Sequence, residues 1–102
     1  MTIHEIISNI NEHNEEATIY AKKENGKFLP SSEAVLVEIP KDEDEGDTSE
    51  IAKKYCPGYD YFIEIFIVQE LLEDLESSGK PLSMDQKVAA IIHYEENDAF
   101  PQ

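Results

Sequence analysis

Arginine is absent from this chain, and all eight basic side chains are lysines. Phosphate and nucleic-acid sites draw repeatedly on the bidentate guanidinium fork, so its absence argues against both. The 23 acidic residues strengthen the exclusion, because a formal net charge of -15 repels a polyanion and an anionic membrane surface alike. Only one cysteine is present, Cys56, so no internal disulfide is available and a reducing compartment fits. Pro57 and Gly58 follow it and no histidine is near it in sequence, so the thiol reads as structural. The four glycines form no phosphate-cradling loop. No apolar run approaches the roughly 20 residues that span a bilayer. No basic region precedes an apolar run at the N-terminus, so no secretory leader is expected and a cytoplasmic location is.

What is present bounds the architecture. The length suits one acidic globular domain over 1–102, with a mobile acidic loop at 41–58. The densest apolar run lies in Asp60–Gly79, DYFIEIFIVQELLEDLESSG, where only Glu64 is polar between Tyr61 and Val68. At helical spacing Val68, Leu71, Leu72 and Leu75 share a face with Tyr61 and Ile65. Phe62, Ile63, Phe66 and Ile67 extend the apolar surface around the first two turns. We read the stretch as one continuous helix capped by Asp60, because no turn residue follows Val68. The rival reading is a strand over Tyr61–Val68 followed by a helix, on aromatic and β-branched content.

Around it the other elements are legible. Thr2 and Glu5 have capping-box spacing, and Ile3, Ile6, Ile7 and Ile10 predict an amphipathic helix from Thr2 to about His13. Thr18–Lys23 alternates like a half-buried strand, Asn25-Gly26 is a tight-turn pair, and Ala34–Ile39 is a second strand ended by Pro40. Lys41–Asp47 reads KDEDEGD and belongs in no core; a short helical turn is expected from about Thr48 to Tyr55. Ser83 and Gln86 form another capping box before an apolar stripe of Met84, Val88, Ile91 and Ile92, predicting a helix to about Glu96. Ala89 and Ala90 would permit close helix approach. The tail Asp98–Gln102 is expected to be loose, with Phe100 able to dock. The order is α-β-β-α-α, an α+β fold with a small antiparallel sheet packed against two or three helices.

Motifs of known chemistry fail on spacing. With Gly46 at position six of a calcium loop, Lys41 stands at one and Ala52 at twelve, where acids are required. His4-Glu5 opens a zinc-protease pattern, but Ser8 occupies the second histidine's place. His93 and Glu96 lie one helical turn apart, and no spacing gathers them with His4 or His13 into a ligand set. No catalytic residue, metal or cofactor is therefore assigned. Glu64 stands out as a possible buried acid, since a carboxylate on an apolar face needs a partner or a proton. Tyr55 and Tyr59 flank the acidic run, and a tyrosine pair beside carboxylates has the composition of a protein-binding surface.

Glu16-Ala17-Thr18-Ile19-Tyr20-Ala21, the run Tyr61-Phe62-Ile63-Glu64 through Leu71-Leu72-Glu73-Asp74, and Tyr94-Glu95-Glu96-Asn97-Asp98-Ala99 together resemble small acidic bacterial proteins grouped as a domain of unknown function. The resemblance implies a bacterial, soluble, single-domain protein and brings no catalytic residue. On charge and composition the leading expectation is a non-enzymatic interaction module of the immunity or antitoxin kind. Asp42, Glu43, Asp44, Glu45, Tyr55 and Tyr59 would meet a basic protein partner, without nucleic acid or membrane. One alternative is a homo-oligomeric structural or accessory protein. Another is a small ligand-binding protein or enzyme using Glu64.

Overall fold

The computed structural model describes residues 1–38, 48–79 and 81–97, with the side chains of 48–51 left aside. Asp42, Glu43, Asp44 and Glu45, the Pro40 strand stop and the tail 98–102 lie outside the described residues. The chain opens with helix α1, Ile3–Ser8, followed by a 3₁₀ turn at Ile10–Glu12. The expected single helix to His13 therefore breaks at Asn9. The capping box forms as predicted: Thr2 Oγ1 accepts from the Glu5 amide at 3.1 Å, and Glu5 Oε1 accepts from the Thr2 amide at 3.2 Å. Two further donors at this helix start, the Ile3 and His4 amides, reach the Ser32 and Pro30 carbonyls at 3.1 and 3.0 Å. All the free N–H groups of a helix start need such partners.

Strand β1, Thr18–Ala21, leads to a two-residue turn. Asn25 and Gly26 both take positive φ, and Glu24 and Lys27 exchange backbone hydrogen bonds of 2.8 and 3.1 Å across them. Strand β2, Ala34–Val37, returns antiparallel to β1. Helix α2, Thr48–Tyr55, comes next. It lies where a short helical turn is expected from the sequence.

Asp60–Glu64 is strand β3, and helix α3 runs only from Ile65 to Ser77. This corrects the continuous-helix reading. The sheet order is β2-β1-β3, so β1 is the central strand of an antiparallel sheet and β3 covers its second edge. A bulge between Ile19 and Tyr20 shifts the register, pairing Ile19 with Ile63 but Tyr20 with Tyr61. A bulge places two residues opposite one and breaks alternation. Here Phe62 and Ile63 both enter the main core, and Tyr61 joins the opposite face. Helix α4, Met84–Asn97, completes the chain, its start capped by the Ser83–Gln86 box as predicted.

β1 is buried at every position, because both faces of the sheet are covered. On one side Ile19 and Ala21 meet Ile3, Ile6 and Ile7 of α1, Ile65 and Val68 of α3, and Val88 and Ile91 of α4. On the other a smaller cluster holds Tyr20, Val37, Ala52 and Cys56, with Tyr59 and Tyr61 packed against it. The fold is α+β, as the sequence indicated, with the third strand and α2 added to its order. Starting the helix at Ile65 turns Phe66 outward, 44% exposed, where the longer helix would have buried it. Ala90 is buried in α4 and Ala89 is exposed. Among the described residues no helix is long and apolar enough to cross a membrane.

Candidate functional site

Among the described residues, apolar and acidic side chains meet in a groove of about 430 Å³ between α1, the 3₁₀ turn, α3 and α4. Buried Ile7 and Ile10 floor it, and half-buried Leu72 and Met84 supply its exposed apolar surface. Ile7 comes from α1 and Ile10 from the 3₁₀ turn after it, and Leu72 borders the core stripe of α3. Glu73 and Glu76 from α3 and Asn11 from the turn supply polar walls. Lys87 is the one base in the lining among the described residues, and its Nζ lies 3.5 Å from Glu76 Oε1. The rim therefore presents net negative charge beside apolar surface.

Sequence spacing missed a polar triple at one end of this groove. His4 Nε2 lies 2.7 Å from Asp85 Oδ1, and Ser8 Oγ lies 3.3 Å from His4 Nδ1. The first contact joins residues 81 apart in the chain, which no local motif reveals. Serine, histidine and aspartate in a row are the components of an acyl-transfer triad, but the setting opposes that chemistry. Such a reaction needs N–H donors aimed at a developing oxyanion. Ser8 instead ends α1, where free carbonyls and a negative dipole end gather, and Glu73 and Glu76 stand on the same groove. Asp85 is 88% exposed, so it holds the ring only weakly. The triple ties α1 to α4.

A second cluster, also unsignalled in sequence, closes one end of the sheet. Glu33 Oε2 accepts from the Tyr59 hydroxyl at 2.9 Å and pairs with Lys22 Nζ at 3.3 Å, and the same ammonium sits 5.0 Å from the Tyr59 ring centre. The Tyr59 hydrogen bond and then Lys22 hold the Glu33 carboxyl below its ordinary 4.5. The bond to Glu33 correspondingly raises the Tyr59 phenol above 10.0.

Tyr55, Tyr59 and Glu64, the sequence candidates among the described residues, stand in different settings. Tyr59 is half-buried in the cluster just described, whereas Tyr55 is exposed at the end of α2 with Lys54 Nζ 5.3 Å from its ring. Both tyrosines thus have lysines beside them among the described residues. Glu64 is half-buried and ends β3, not set within a helical face; its backbone is extended and its side chain caps no amide of α3. Its charge contributes to raising Tyr20 and Tyr61, in both cases after burial. Cys56 is buried, and burial pushes its thiol up, away from the thiolate a nucleophile needs. Among the described residues no three His, Cys, Asp or Glu side chains gather to hold a metal ion.

The whole chain, residues 1–102, matches the model of a family described as a domain of unknown function, DUF7716. The chain belongs to that family. No curated protein and no solved structure is detectably similar to it.

Proposed function

We propose that this DUF7716 chain is a non-enzymatic interaction domain. Its groove between α1, α3 and α4 takes an apolar segment carrying Lys or Arg from a basic partner protein. The observation that carries this reading is the juxtaposition of Ile7, Ile10, Leu72 and Met84 with Glu73 and Glu76 in one groove. An apolar centre gives affinity and the charged rim selects sign and speeds encounter. Lys87 leaves that sign intact, because Glu76 already pairs with it. The formal charge of -15 extends the attraction beyond the groove. Asp42, Glu43, Asp44 and Glu45 belong to that long-range field, and neutralising them is expected to slow association. An inhibitor that covers a basic enzyme, as immunity proteins and antitoxins do, has this physical character.

Isothermal calorimetry with a synthetic amphipathic Lys/Leu helix tests the reading. The wild-type chain binds at low salt, with affinity falling as salt rises. Glu73→Lys with Glu76→Lys abolishes binding. Glu15→Lys with Glu16→Lys makes the same charge change away from the groove and retains most of it. Equal losses in the two double variants would reduce the reading to non-specific charge attraction and overturn it.

A further inference from the structure

Lysines concentrate in two short segments that do not line the groove. Lys22, Lys23 and Lys27 follow β1, and Lys53 and Lys54 close α2, so five of the chain's eight lysines fall in two short segments. Lys23 and Lys53 from these segments line one recess of about 530 Å³, together with Tyr59, Asp60 and Tyr61. Its size is that of a small-molecule site.

Lysines in the last turn of α2 complement its dipole, which accounts for Lys53 and Lys54. It does not account for Lys23, which arrives from the other side of the recess on a different element. Among the described residues neither Lys23 nor Lys53 pairs with a carboxylate; Lys23 lies 5.2 Å from the Phe28 ring centre. Lys22, by contrast, is already held by Glu33. Among the described residues, two lysines against the Asp60 carboxylate leave the lining net positive in a strongly acidic chain.

The aromatic wall is fixed before any ligand arrives. Tyr61 stands edge-on to the buried Tyr20, with centroids 5.9 Å apart and planes at 84°. Tyr59 is pinned through its hydroxyl to Glu33. Gly58, at φ +92°, adds no side chain at the mouth, and a Cβ there would meet nothing within 4 Å. Rigid rings and two lysines that pair with no carboxylate among the described residues, around an open mouth, suit a ligand with a flat body and one anionic group.

We propose that the recess between α2, β3 and the end of β1 binds a small planar organic anion, an aromatic carboxylate or aryl phosphate. Lys23 and Lys53 hold the anionic group, and the Tyr59 and Tyr61 rings face the planar body. A polyanion is disfavoured by the net charge of the chain.

Amide chemical-shift titration of the full chain with benzoate, phenyl phosphate and inorganic phosphate in separate arms tests this. Benzoate or phenyl phosphate, or both, give saturable shifts centred on Lys23, Lys53 and Gly58; which of the two binds tighter identifies the anionic group. Inorganic phosphate binds at least about tenfold more weakly than the better aryl probe, because it lacks the ring. Lys23→Gln with Lys53→Gln weakens the aryl probe about tenfold or more, while Lys27→Gln, which removes a charge outside the lining, does not. An unaltered amide spectrum elsewhere shows that the variants fold. Three results would overturn the proposal: no saturable shift with either aryl probe, phosphate binding as well as phenyl phosphate, or full binding by the Lys23/Lys53 variant.

Discussion

Tyr20 is the residue whose chemistry is least settled by its neighbours. It is fully buried, yet among the described residues its hydroxyl has no hydrogen-bond partner. A buried hydroxyl without a partner costs about 1–3 kcal/mol relative to one that is satisfied. Tyr20→Phe is therefore expected to leave stability unchanged or raise it by about 1 kcal/mol in urea unfolding; a loss of stability would mean the hydroxyl is bonded in solution. The pH dependence has a definite sign. Burial, then Cys56 and Glu64, push the Tyr20 phenol above 10.0, and burial leads the same upward shift at Tyr61. The native state then holds these protons longer than the unfolded chain does. Their contribution is fully present below pH 10 and is lost as pH rises beyond it, so Tyr20→Phe makes the alkaline limb shallower. Glu33 runs the other way: its lowered value adds stability above pH 4.5 that disappears as pH falls through that lowered value. Tyr59→Phe removes the leading cause, and an NMR titration should show the Glu33 carboxyl returning toward 4.5.

Among the elements, β3 decides the topology, and the continuous-helix reading of Asp60–Gly79 misses it. Tyr61, Phe62 and Ile63 have strand composition, but the bulge at Ile19/Tyr20 sends Phe62 and Ile63 into the same core and erases the period of two that marks a strand. Glu64 then passes straight into α3 without a turn residue. A central β1 buried on both faces needed a second edge partner, which is tertiary information absent from local pattern. The helix starts were legible because a capping box is local: Thr2 with Glu5, and Ser83 with Gln86, stand three residues apart. The Asn25-Gly26 turn was legible for the same reason. The groove was not, since His4 reaches Asp85 and Ile7 reaches Leu72 only through packing. Phe62 and Phe66 discriminate the two readings of this stretch. Phe62 is fully buried and meets Phe28 at 4.9 Å, so Phe62→Ala should cost about 3–5 kcal/mol. Phe66→Ser, on the exposed side of α3, should change stability by less than about 1 kcal/mol. Comparable large losses at both sites would restore the continuous, deeply buried helix.

At the scale of the molecule, opposite faces of the sheet carry different chemistry. The thicker layer of α1, α3 and α4 ends in an acidic groove with apolar residues beneath its rim. The thinner layer under α2 carries a recess lined by lysine and tyrosine. Net charge alone suggested a basic partner, and could not reveal this division, because it sums over both faces. The central claim is that the groove receives that partner. Paramagnetic relaxation from a nitroxide on the amphipathic Lys/Leu peptide tests it most directly. The account predicts that the label broadens the amides of Ile7, Ser8, Gln69 and Leu72 while those of Gly26 and Gly58 stay sharp. Broadening centred on Gly58 and Lys53, or spread evenly over the surface, would contradict it.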